Sequence, residues 1–78
     1  MSYTVYILKS EKTTRFYCGQ TQNLSERIQR HNSGRNKSTK AGIPWKLIWI
    51  TEFESREEAV RLESKIKKRG INRFLEQQ

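Results

Sequence analysis

Five side chains in this sequence are of the types and spacings that phosphate chemistry uses: Tyr6, Tyr17, Arg27, His31 and Glu63. Arg27 and His31 stand four apart and share one face of a helix. Leu24 and Ile28 are also four apart and form the apolar edge of the same helix. On a helical wheel the two pairs lie within roughly 60° of each other, so Arg27 and His31 border the buried face. A helix that needed only solubility would place them on the far side. Tyr17 comes just before Gly19, at the entrance to this helix. A tyrosine, an arginine and a histidine turned towards one cleft could position a water against a phosphate and stabilise the charge of its transition state.

The elements that must hold these residues follow from the pattern of the chain. Residues 3–9 alternate, with Tyr3, Val5 and Ile7 on one side and Thr4, Tyr6 and Leu8 on the other, which predicts a strand. Ser10 to Arg15 has the length and polarity of a hairpin loop, and residues 15–19 make a second, antiparallel strand ending in a turn at Gly19. Whether Tyr6 and Tyr17 meet on one face depends on a register that pattern alone leaves open. Asn23 and Glu26 form a capping pair for a helix from Leu24 to His31, with a stop at Asn32, Ser33 and Gly34.

Residues 33–42 are polar and carry cations without an anion, so they read either as a solvated loop or as a flexible phosphate-contacting one through Lys37 and Lys40. Pro44 opens a third strand, Trp45 to Phe53. Trp45, Leu47, Trp49 and Thr51 alternate there with Lys46, Ile48 and Ile50, which predicts a central strand covered on both sides. A second capping box, Ser55 to Glu58, starts a helix whose core stripe is Ala59, Leu62 and Ile66 and which ends at Gly70. Residues 71–78 form a short last helix. Glu63 lies near the buried edge of the second helix, where a carboxylate needs a cation partner or a metal ion.

Sixteen lysines and arginines against eight carboxylates give a formal charge of +8 over 78 residues. That surplus points to a polyanion, nucleic acid before others. The length predicts one domain, residues 1–78, with one small core helped by its aromatic residues. A single cysteine, Cys18, excludes an internal disulfide, and no spacing of Cys and His suggests zinc. The short apolar run at the N-terminus has no basic leader and is too short to span a membrane, so the expected location is the cytoplasm with no membrane or obligate protein partner.

Thr4-Val5-Tyr6, Tyr17-Cys18-Gly19, Asn23-Leu24 with Arg27 and His31, and Glu63 followed by Ile66-Lys67 together resemble the GIY-YIG nuclease superfamily. The likeness runs over about residues 3–75 and is similar to the small stand-alone bacterial members. Both signature triplets keep their tyrosine, the first lacks its glycine, and the second has Cys18 in place of a branched aliphatic residue. The resemblance implies an α/β (α+β) fold, a small three-stranded antiparallel sheet flanked by helices in the order β-β-α-β-α with a short third helix. It also implies an endonuclease that hydrolyses phosphodiesters, DNA before RNA, with one Mg²⁺ or Mn²⁺ held by Glu63 and waters. Arg27 would bind a phosphate oxygen, and Tyr6 or Tyr17 would position or deprotonate the water. His31 would orient a tyrosine or pass on its proton, because a free tyrosine with a pKa of about 10 is a poor base.

Gly19 would serve the turn and let the backbone approach phosphate. Lys37, Lys40 and Lys67 would make non-specific phosphate contacts. Asn72 is the one candidate for the asparagine that many members place near the scissile phosphate, although it follows Glu63 at a shorter distance than usual. A non-catalytic nucleic-acid-binding module of the same fold is the main alternative. An adaptor for acidic proteins is a third.

Overall fold

The computed structural model describes residues 2–78. Its elements are β1 (Tyr3–Ser10), β2 (Phe16–Thr21), α1 (Leu24–Asn32), a short 3₁₀ turn at Lys40–Gly42, β3 (Trp45–Phe53), α2 (Arg56–Arg69) and α3 (Ile71–Glu76). Three strands form one antiparallel sheet in the order β2-β1-β3.

The sheet order corrects one expectation. β1 is the central strand, and β3 is an edge. Every residue of β1 from Thr4 to Leu8 is buried, because helices cover both faces of the middle strand. In β3, Ile48 and Ile50 stay 39% and 46% exposed. The pairing of β1 with β3 also shifts between Ile7 and Leu8, since Ile7 sits opposite Trp49 and Leu8 opposite Leu47. Ile48 is the extra residue of this bulge, so the regular alternation expected for β3 breaks there. Trp45 and Leu47 join one face, while Trp49 and Phe53 join the other. A bulge on an edge strand also discourages pairing with another chain.

The single small core expected from length is in fact two, one on each face. On one side Val5, Ile7 and Cys18 pack under Ala59 and Ile66 of α2 and Phe74 of α3. Trp49 meets Phe74 edge-on, with ring centres 5.0 Å apart. On the other side Tyr6, Leu8 and Trp45 pack with Leu24 and Ile28 of α1. The sheet therefore carries the catalytic candidates on the face that α1 covers. Gly70, at φ +100°, joins α2 to α3; its N–H donates to the Ile66 carbonyl, and its own carbonyl accepts from Phe74 N–H. That backbone conformation favours glycine and lets α3 fold back onto the α2 face.

The capping pairs form only in part. Asn23 Oδ1 accepts from Glu26 N–H at 3.1 Å, but the Glu26 carboxylate turns to the Asn23 side chain. Thr21 Oγ1 takes the Asn23 N–H instead. Ser55 caps α2 by position and makes no side-chain bond.

Candidate active site

Register decides whether the two tyrosines meet. Tyr6 stands opposite Gly19 and Tyr17 opposite Leu8, so both rings lie on the α1 face, with centres 6.2 Å apart. Gly19 is not in a turn, as its sequence context suggested. It sits inside β2, and a Cβ there would lie 2.7 Å from the Tyr6 hydroxyl oxygen and 2.9 Å from Cζ. Its missing side chain is the space that the Tyr6 phenol occupies as it crosses β2.

The phenol ends on His31. Tyr6 OH and His31 Nε2 are 3.1 Å apart, and the other ring nitrogen, Nδ1, is 3.0 Å from Thr39 Oγ1. His31 also packs against Tyr17 with ring centres 4.6 Å apart. It does not border the core, as the helical wheel predicted, but is wholly buried. The wheel placed it at the edge of the α1 stripe; the segment after α1 then closes over it. That segment is not a flexible loop where it matters. Thr39 is buried, and its carbonyl accepts from Trp45 Nε1 at 2.7 Å. Gly42 lies against the Trp45 ring with no room for a Cβ. Lys37 and Lys40 project from this anchored segment and are exposed.

Burial is the first cause that raises the Tyr6 pKa well above its ordinary value; the neighbouring Tyr17 adds to it, and the Arg27 guanidinium pulls the other way. His31 is moved down from 6.5, by burial first and then by the charges of Arg27 and Arg30. The folded chain thus keeps the imidazole neutral where the unfolded chain binds a proton. Stability from this group is full above about pH 6.5 and is lost as the pH falls towards the folded pKa. Urea midpoints are expected to drop as the pH falls below about 6.5, and a His31→Phe variant to lose that slope.

Arg27 is half-buried one turn before His31 and lines a cleft of about 220 Å³ with Thr21, Gln22 and Arg56. Arg56, the first residue of α2, went unremarked in the sequence. Its signal there was weak, since a surface arginine beside a capping box reads as ordinary solvation. Among the described residues neither arginine has a carboxylate partner.

Glu63 stands on α2. Its charge is felt at Tyr6 and at Cys18, but the carboxylate is bridged by Lys67 at 2.7 Å. Lys67, expected from sequence as a phosphate contact, is thus paired within α2; its pKa is raised, chiefly by the bond to Glu63. Cys18 is buried in the opposite core, and burial pushes its thiol up to about 11, which suits packing rather than nucleophilic attack. Asn72 does not join the tyrosines. It lines a groove at the hairpin end of the sheet with Lys9, Thr13, Phe16, Lys46 and Ile48. The tight Gly70 junction turns α3 towards that end.

Among the described residues no group of three or more His, Cys, Asp or Glu could hold a metal ion. Glu63 offers one hard oxygen donor set, which fits a cation that keeps most of its water, as Mg²⁺ does, and not a zinc-type cage.

The sequence pattern of the GIY-YIG catalytic domain matches residues 2–72. A UPF0213 protein of Clostridium perfringens is 43% identical over 77 residues, which span 97% of this chain and 81% of that protein. A UPF0213 protein of Lactococcus lactis is 41% identical over 63 residues, spanning 78% of this chain and 59% of its own length. The solution NMR structure of a UPF0213 protein from Bacillus halodurans superposes with a TM-score of 0.60 at 32% identity, covering 97% of this chain and 81% of that one. The domain match over nine-tenths of the sequence, together with relatives that share it and the fold, shows the family: the chain belongs to the GIY-YIG family.

Proposed function

We propose that this protein is a divalent-metal-dependent endonuclease that hydrolyses phosphodiesters in nucleic acid, DNA in the first instance. Membership of a nuclease domain family supports the reaction class. The observation that carries the finer reading is the Tyr6–His31 contact, a phenol with a base behind it at 3.1 Å. Of the two tyrosines only Tyr6 has this arrangement, so the proton-accepting role goes to Tyr6. As the water oxygen bonds to phosphorus, its proton passes to the Tyr6 oxygen and the phenol proton passes to His31 Nε2. One P–O ester bond breaks, and the departing oxygen takes a proton from solvent. A neutral His31 can accept that proton at pH 7, and the downward shift of its pKa keeps it neutral. Tyr17 packs against His31 and walls the site.

Arg27 holds a non-bridging phosphate oxygen and stabilises the charge that builds on it, with the fork geometry that suits phosphate. Glu63 would hold the divalent ion, giving up its bond to Lys67. When bound, the ion supplies charge stabilisation to the phosphate and the leaving oxygen. Arg56 offers a phosphate contact in the cleft beside Arg27, and Lys37 and Lys40 offer others from the exposed side of the segment after α1, so recognition rests on backbone and shape.

The test is nicking of supercoiled plasmid in Mg²⁺ or Mn²⁺ against EDTA, with a Glu63→Gln preparation purified in parallel to expose contaminating nuclease. Metal-dependent nicking by the wild type alone is expected. Nicking that survives EDTA, or that both preparations share, would sink the assignment. Arg56→Ala is expected to weaken DNA binding several-fold and to lower the salt dependence of binding by about one phosphate contact, without changing the rate of cleavage at saturation. Fluorescence anisotropy across a salt series measures this.

One observation favours a binding module without catalysis. Lys67 satisfies Glu63 at 2.7 Å, as in an ordinary structural bridge. Lys67 is 53% exposed, however, and a bridge so open to water is worth only about 0–1 kcal/mol, too little to hold Glu63 away from a divalent ion.

A further inference from the structure

The relay from Tyr6 to His31 works in one direction only if the imidazole carries its proton on Nδ1. We infer that Thr39 is a positioning residue that fixes this tautomer, by accepting a hydrogen bond from His31 Nδ1–H while its own hydroxyl proton is committed to the Asn36 carbonyl. Thr39 is not among the residues on which the resemblance was drawn. The inference rests on the proposed hydrolysis for its catalytic consequence, but not for the tautomer.

Two separate counts of donors and acceptors agree. The first is at Thr39. Its Oγ1 lies 3.0 Å from His31 Nδ1 and donates to the Asn36 carbonyl at 3.4 Å. A hydroxyl has one proton; once that is given away, only lone pairs face the ring. With the hydroxyl turned this way, Nδ1 is the nitrogen that carries the proton. The second count is at Tyr6. Its side chain is wholly buried, and the acceptor within reach of the phenol proton is His31 Nε2, since the neighbouring Arg27 guanidinium can only donate. If Nε2 carried the proton, the phenol would have to accept it, and its own proton would be left buried without an acceptor. With the proton on Nδ1, Nε2 offers a lone pair to the phenol O–H, and the phenol and both ring nitrogens are paired.

Thr39 is itself held firmly. Its N–H donates to the Asn36 carbonyl at 3.1 Å, and its carbonyl accepts from Trp45 Nε1 at 2.7 Å. The anchored turn between α1 and β3 thus reaches the catalytic pair through one hydroxyl. The arrangement resembles the way a third group orients the histidine of a hydrolase triad, with a neutral acceptor in place of a carboxylate. A neutral acceptor fits here because a carboxylate would raise the imidazole pKa, which the buried site and its two neighbouring arginines hold down.

His31 is the only histidine in the chain, so its ring nitrogens give an unambiguous pair of signals in ¹⁵N-labelled protein. Long-range ¹H–¹⁵N spectra at neutral pH are expected to show protonated Nδ1 and unprotonated Nε2 in the wild type. Thr39→Ser should keep that pattern and cleave DNA within about threefold of wild type, because the hydroxyl is retained. Thr39→Val, close in shape but without the acceptor, should lose the pattern and slow cleavage by at least about tenfold with little change in DNA affinity. Thr39→Ala, which brings no bulk, gives the same readout should the valine disturb folding. A wild-type ring protonated on Nε2 overturns the inference, and so does a Thr39→Val or Thr39→Ala protein that keeps the Nδ1 proton. A wild type that shows the expected tautomer but cuts no DNA leaves the assignment of Thr39 standing and removes the nuclease reading instead.

Discussion

Glu63→Gln is expected to abolish metal-dependent nicking while leaving the fold intact. Glutamine keeps the size of the side chain and an oxygen that can still accept from Lys67. It removes a negative charge that acts on the phenol of Tyr6. A hydrated hard cation held by so few protein atoms depends on that charge. The stability change should be small. The bridge to Lys67 is partly open to water, with side chains 53% and 21% exposed, and pairs of this kind contribute about 0–1 kcal/mol. The variant should therefore unfold at nearly the wild-type urea concentration, bind DNA with similar affinity and show no Mn²⁺ binding by electron paramagnetic resonance. Nicking at the wild-type rate would mean that the metal, if any, is held elsewhere. Loss of nicking together with loss of folding would contradict the low value given to the bridge.

Tyr6→Phe should slow cleavage by about 10²- to 10⁴-fold, the usual contribution of a positioned acid–base group. It should also destabilise the protein by about 1–3 kcal/mol. His31 Nε2 is buried with Tyr6 OH as its hydrogen-bond partner, so removing the hydroxyl leaves the nitrogen unpaired. Gly19→Ala provides an independent route to the same defect. The added Cβ would sit 2.7 Å from the phenol oxygen, and the neighbouring atoms belong to the packed rings of Tyr6 and Tyr17, which have little room to give. The ring must shift out of line with His31. The expected result is a loss of cleavage approaching that of Tyr6→Phe, with overpacking costing about 1–3 kcal/mol, although the hydroxyl is still present. Single-turnover cleavage and urea denaturation of the two variants check both values. An alanine variant with wild-type cleavage would show that the Tyr6–His31 line is not needed. Tyr17→Phe serves as the comparison; it should lose less if Tyr6 is the proton acceptor.

Much of this was legible in the chain because the signals are local. The alternation in residues 3–9, the stripe Ala59, Leu62 and Ile66, and the stops at Gly34 and Gly70 predict elements whose bounds the structure reproduces closely. Tyr6, Tyr17, Arg27, His31 and Glu63 stood out because their types and order match a known signature over most of the chain. Local signals failed where a residue answers to a distant one. The apolar faces of β3 read as a central strand, yet Ile48 and Ile50 are exposed because the bulge opposite Ile7 and Leu8 turns part of the strand and β1 takes the middle place.

The sequence by itself determined the elements, the excess positive charge and the set of side chains able to do phosphate chemistry, since each depends on composition or on neighbours a few residues apart. Only the tertiary structure decided how that set is wired. The register that puts Gly19 opposite Tyr6 is set by packing across two strands, and it alone explains why the second signature keeps its glycine. Thr39 became visible for the same reason: an uncharged residue in a polar stretch has no signal of its own, and its importance comes from a hydrogen bond to a histidine that folding buries beside it.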